Sequence, residues 1–225
     1  MKIHILTDSL GGPRTNESEE VYYRDTWISK IVDEFGSDYT ISSLVRHSLH
    51  SSEAIQNLDK YVNGFEPDIL IIQLGIVDSF PRVLLQKERF LIMRLPFKLG
   101  HFFVSKIIRK IYPHFTKIIK RNEVNISQFE KNVKLLKKCA SQVHFIPIMP
   151  ACSEYLKISP TANKRIKEYN QILHSETSNI KLFSEFLNDS NFKSGCYVID
   201  DYHHLNKLGH NKVHLYLRKV LSSDI

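Results

Sequence analysis

The stretch KIHILTDSL, residues 2–10, couples a short apolar run to three small polar residues. Residues 2–6 read as a strand, and Asp8-Ser9 fall just past its carboxyl end. Similar runs return at YTISSLV (39–45), DILIIQL (68–74), VHFIPI (143–148) and IKLF (180–183), which makes five predicted strands. Between them apolar residues recur at helical spacing. Trp27, Ile28, Ile31, Val32 and Phe35 mark one helix face, and Ala54, Ile55, Leu58 and Val62 mark a second. Phe129, Val133, Leu136 and Ala140 mark a third, and the last helix carries Val213, Leu217, Val220 and Leu221. SPTANKRIKEYNQIL, residues 159–173, predicts a further helix capped by Ser159 with Pro160 in its first turn.

Strands alternating with helices predict an α/β chain, a mostly parallel five-stranded sheet between two helical layers. In such sheets binding sites form outside the carboxyl ends of the strands. The segments there are Asp8-Ser9, then His47 to Ser52, then Gly75 to Asp78.

Bulk properties narrow the class. A chain of 225 residues fits one domain, 1–225, with a sizeable core. The net charge of +7 is concentrated in one segment. Arg82 to Arg121 hold eleven Lys/Arg against the single acid Glu88, so this segment is +10 and the remainder −3. That distribution argues against a nucleic-acid partner. The segment, at about 82–122, reads as a mostly helical insert interrupted by Pro113. Its two readings are a lid beside the site and a surface meeting an anionic membrane or partner. Three cysteines without metal-like spacing and no signal-peptide pattern predict reduced thiols and a cytoplasmic location.

The stretch YVIDDYHHLNKLGH, residues 197–210, carries two overlapping Asp-x-x-His spacings, Asp200 to His203 and Asp201 to His204. A serine hydroxyl needs a base to accept its proton, and that base needs a group to hold its tautomer. Ser9 at a strand end and an Asp-x-x-His pair downstream supply those parts. A metal site would require a second cluster of ligands. His47/His50 is the candidate, and it reads better as a loop or substrate-side pair; no metal and no cofactor are expected.

With these residues the chain resembles the SGNH/GDSL hydrolases. ILTDSL stands near the family's Gly-Asp-Ser-Leu with Thr7 for the glycine, RHSLHSSEAI covers its oxyanion-hole glycine, LGIVDS its Gly-x-Asn-Asp, and DYHHLNKLGH its Asp-x-x-His block. GIVDSFPR and DSLGGPR are also similar to a bacterial subgroup associated with surface-polysaccharide gene clusters. The resemblance implies a flavodoxin-like fold with Ser9 as nucleophile, and Leu205-Asn206 with Gly209-His210 select Asp201 and His204 as orienter and base. It further implies Ser9 and Ser51 N–H groups in the oxyanion hole, and Arg14, Arg82 and His203 are candidate substrate contacts. Val77 takes the place of the family's asparagine donor. The implied reaction is cleavage of an O-acyl ester, an O-acetyl group on a sugar or polysaccharide precursor. O-acyl transfer by the same triad is one alternative. A non-catalytic domain that binds a glycan or partner is the other, motivated by Val77.

Overall fold

The computed structural model describes residues 1–15, 19–81, 85, 88, 121–189, 195–197 and 203–223. Its centre is a parallel sheet of β1 (Lys2–Thr7), β2 (Thr40–Val45), β3 (Ile69–Gln73) and β4 (Gln142–Phe145), in the order β2-β1-β3-β4. Ile5 sits opposite Ser43 on one side and Ile71 on the other, and Ile71 opposite His144. β1 and β3 are covered on both faces, which is why they read as apolar runs without alternation. His4 inside β1 is fully buried and its ring is satisfied, with Nε2 2.7 Å from the Tyr61 carbonyl and Nδ1 2.8 Å from Ser42 Oγ.

The helices are α1 (Trp27–Phe35), α2 (Ser51–Gln56), α3 (Leu58–Tyr61), α4 (Ile76–Ser79), α5 (Ile126–Leu136), α6 (Ser153–Ile158), α7 (Ala162–Glu176), α8 (Ile180–Asn188) and α9 (Lys207–Ser223). α1 packs on α9, whereas α5 packs on α2 and α7, giving the expected three layers with helices on both faces of the sheet.

Three differences from the expected elements have local causes. The described sheet has four strands, because residues 180–183 open α8. The Asn179 side chain caps that helix by accepting from Leu182 N–H at 3.1 Å, and Phe183 fills the core from it. The free edge of β4 is met by hydroxyl groups in place of a fifth strand: Val143 N–H donates to Ser178 Oγ at 3.0 Å and Phe145 N–H to Thr177 Oγ1 at 3.3 Å. Ser159 closes α6, donating its N–H to Tyr155 O at 2.8 Å, so α7 starts two residues beyond Pro160. The single helix expected over 54–62 is broken at Asn57, whose φ of −117° and ψ of 27° leave the helical region.

Pro81 and Asn122 form an antiparallel bridge, so the two ends of the basic segment meet at one point of the domain. The Asn122 amide donates to Tyr169 OH at 2.8 Å, and that hydroxyl to Val124 O at 2.6 Å, tying the root to α7. The helical character expected for the interior of the segment lies outside the described residues. No described helix is long and apolar enough to cross a membrane.

Candidate active site

β1 delivers the first group. Its strand ends at Thr7, and Asp8 caps a single 3-10 turn, Ser9–Gly11, by accepting from Leu10 N–H at 2.8 Å. Ser9 is thereby held half-exposed at the top of the sheet while Asp8 is fully buried beneath it. Burial raises the Asp8 carboxyl to about 7, aided by the negative charge of Asp78 and opposed by the Leu10 N–H. Its Oδ2 has no hydrogen-bond partner among the described residues.

The second group comes from the turn before α9. His204 Nε2 lies 2.9 Å from Ser9 Oγ, across 195 positions of sequence. This turn is stapled by the residues that follow it. Asn206 Nδ2 donates to Gly195 O at 2.6 Å, Asn206 N–H to Cys196 O at 3.1 Å, and Gly209 N–H to Asn206 Oδ1 at 3.0 Å. Leu205 is 1% exposed and bridges Tyr197. At Gly209 an added Cβ would stand 2.3 Å from Cys196 O, so no larger residue lets the helix approach the segment 195–197 this closely. His210 Nδ1 accepts from Trp27 N–H at 3.3 Å, joining α9 to the start of α1; burial lowers its ring to about 3, so it is held neutral. The short Leu-Asn and Gly-His signatures are therefore the anchors of the loop that carries His204.

Arg14 reaches the same point. Its backbone pairs with Val21 in both directions at 2.7 Å, an isolated antiparallel bridge. Its Nη1 then lies 3.4 Å from His204 Nε2. A guanidinium can only donate, so a hydrogen bond from Arg14 needs Nε2 as acceptor with the imidazole proton on Nδ1, and the Ser9 hydroxyl, which can donate or accept, is compatible with that form. That is the tautomer in which Nε2 can take a proton from Ser9. The serine–imidazole spacing is within the range of a nucleophile and its base.

The third strand end behaves differently from expectation. Gly75, at φ +114°, turns β3 into α4, and a Cβ there would meet Ile148 Cδ1 at 2.5 Å. The turn buries Asp78, whose Oδ1 accepts from both Ser51 N–H (2.9 Å) and Ser51 Oγ–H (2.5 Å). Burial raises this carboxyl, and the two Ser51 bonds oppose the rise. Asn132 Nδ2 extends the network to Ser51 Oγ at 2.9 Å and Ser52 Oγ at 3.0 Å. Ser51 N–H was expected to face an oxyanion; it is fully buried and its hydrogen goes to Asp78, so it is not presented to a substrate. Val77 is 7% exposed and offers no side-chain donor.

His203 packs beside His204 at a centroid distance of 4.2 Å and faces Phe80 and Tyr155 at 6.3 and 6.2 Å, forming an aromatic wall next to the pair. His50 caps α2 by accepting from Glu53 N–H at 3.2 Å, and His47 is exposed. Asp201 and Arg82 lie outside the described residues. Among the predicted residues, the structure thus brings together Ser9, His204, His203 and Arg14, and turns Ser51 away.

No protein-family model matches the sequence, and no curated protein matches it at a significant level. Solved structures do match in fold. A lipase/acylhydrolase from Enterococcus faecalis superposes with a TM-score of 0.66 at 12% identity, over 99% of this chain and 96% of that one. An acetylxylan esterase from Geobacillus stearothermophilus gives 0.54 at 14% identity, over 97% and 92%. Among its solved forms are catalytic mutants in which a serine and an aspartate are replaced by alanine. A further acetyl xylan esterase gives 0.59 at 13% identity, over 98% and 99%. The chain has the three-layer α/β fold of these ester-cleaving enzymes over nearly its whole length.

Proposed function

We propose that the protein is a serine esterase that removes a short acyl group, an O-acetyl group above all, from a sugar or polysaccharide precursor. The observation that carries this reading is the 2.9 Å approach of His204 Nε2 to Ser9 Oγ, the spacing of a nucleophile and its general base. Ser9 Oγ attacks the ester carbonyl while His204 Nε2 takes its proton. The tetrahedral intermediate collapses as the C–O bond to the alcohol breaks and Nε2 returns the proton to the leaving oxygen. Water then repeats the sequence on the acyl-serine. Asp201, three residues before His204, is the proposed orienter of Nδ1–H, and the Ser9 N–H is proposed to face the oxyanion. An acceptor alcohol in place of water turns the same acyl-serine into an O-acyltransferase.

The substrate class is supported by the fold shared with acetylxylan esterases and by the wall of His203, Phe80 and Tyr155. Phe80 and Tyr155, 6% and 9% exposed, give that wall an apolar surface against which an acyl group can pack. Reaction with a fluorophosphonate tests the nucleophile. Wild type is expected to label, with labelling lost in Ser9→Ala and His204→Ala, and each variant to lower acetyl-ester turnover on the order of 10⁴-fold or more. A wild type that neither labels nor cleaves esters points to the second reading, a glycan- or partner-binding domain. The engagement of Ser51 N–H by Asp78 is the observation that favours that alternative.

A further inference from the structure

An ester carbonyl attacked by Ser9 becomes an alkoxide, and the donors aimed at that oxygen set much of the rate. Two of the donor positions that the resemblance implies for the oxyanion are closed. Ser51 N–H is directed into Asp78 Oδ1 at 2.9 Å, and Val77 has an apolar side chain. A cation stands at the same place: Arg14 Nη1, 3.4 Å from the nitrogen that contacts Ser9 Oγ. From these three observations, and resting on Ser9 and His204 as nucleophile and base, we infer that Arg14 is a catalytic residue whose guanidinium stabilises the oxyanion.

The proton transfer itself releases Arg14 for this task. In the resting site Arg14 Nη1 and Ser9 Oγ lie 3.4 and 2.9 Å from His204 Nε2 and share its one lone pair as donors. When Ser9 Oγ bonds to the carbonyl carbon, its proton moves to Nε2 and the carbonyl π pair moves onto oxygen. Nε2 can then no longer accept, and imidazolium and guanidinium repel each other. The alkoxide forms a new negative charge next to this cation, and Nη1 donates to it. On collapse that electron pair re-forms the C=O bond, the alcohol leaves with the proton from Nε2, and Arg14 returns to its resting contact. The guanidinium is permanently charged and suits this role over the full working pH range. The backbone of Arg14 is held by its two bonds to Val21, so changes to its side chain leave the loop anchored.

The test uses the full chain and an uncharged substrate, 4-nitrophenyl acetate, so that no substrate anion can pair with Arg14. Arg14→Met is expected to lower kcat about 10²–10³-fold with KM changed less than about threefold. Arg14→Lys should retain part of the lost rate, and adding guanidinium ion at millimolar concentration should restore turnover to a truncated variant, Arg14→Ala, but not to Ser9→Ala. Circular dichroism checks that each variant is folded. Loss confined to KM, or full activity in Arg14→Met, overturns the assignment while leaving Ser9 and His204 in place. A wild type that is not labelled by fluorophosphonate and cleaves no ester overturns the nucleophile reading and the Arg14 role with it.

Discussion

Asp8 lies directly beneath the proposed nucleophile, fully buried, with one oxygen bonded to Leu10 N–H and the other without a partner among the described residues. Its carboxyl rises from the ordinary 3.8 to about 7, because ionising it in a dry site near Asp78 is unfavourable. A group raised on folding contributes stability that is complete below 3.8 and lost as pH climbs to about 7. Asp8→Asn keeps an oxygen for Leu10 N–H and cannot ionise. In denaturant titrations the stability difference, variant minus wild type, is expected to grow from pH 4 to pH 7 and then level off. A rise of this size sets the ceiling of that difference at roughly 4 kcal/mol; a difference that stays constant across this interval would overturn the account. Asp78 differs in receiving two bonds from Ser51, so its position is fixed by hydrogen bonding as well as by burial.

At the scale of elements, the described parts of the segment 195–210 work as a clamp. Asn206 and Gly209 attach it to itself, and His210 attaches it to α1. The clamp holds the turn that carries His204 against the start of α1. Gly209→Ala puts a methyl group 2.3 Å from Cys196 O and must move either α9 or the turn. Since about 1 Å of misplacement at a reacting group costs about 10²-fold, kcat on an acetyl ester is expected to fall by at least that much. The far-ultraviolet spectrum should be preserved, because the core helices are anchored elsewhere; unchanged kcat would show that the clamp does not position His204. The root of the basic segment, at the bridge between Pro81 and Asn122, adjoins Phe80, whose ring faces His203 at 6.3 Å. The order of motifs along the chain predicts that segment beside the site, and its root is there.

For the molecule as a whole, two buried imidazoles act against stability in acid. His210 is lowered from 6.5 to about 3 and His4 is also lowered, both by burial. Lys30, Asp25 and His204 also act on His210, the first and last lowering it further and Asp25 raising it. A base lowered on folding contributes stability that is complete above about 6.5 and lost as pH falls towards its folded value. The contribution of His210 and His4 to the midpoint of thermal unfolding is therefore expected to drop between about pH 6.5 and pH 3.5, opposite in sign to that of Asp8. His210→Gln, which keeps an acceptor near Trp27 N–H but cannot gain a proton there, should show a shallower drop. An identical slope would assign the acid loss to other groups. Much of the architecture was legible in sequence. Ile3, Ile5, Ile69 and Ile71 had to be covered on both sides, and the helix faces of α1 and α9 repeated at their true spacing. Misreadings arose where a short apolar run fits either period, as at Ile180 to Phe183, and there the Asn179 cap was the missed signal.

The sequence by itself determined which residues are candidates, because spacing along the chain is local. Ser9 at a strand end and the two overlapping Asp-x-x-His spacings follow from neighbours close to them in the chain, and the Asp201/His204 register is what the resemblance implies. Only the tertiary structure decided how donors and charges are shared between distant segments. It directs Ser51 N–H to Asp78, 27 residues away, and it sets Arg14 against His204, 190 residues away. The physical reason is that a hydrogen bond depends on direction and on a few tenths of an ångström, which parallel strand ends and a turned loop fix in space and residue order does not encode.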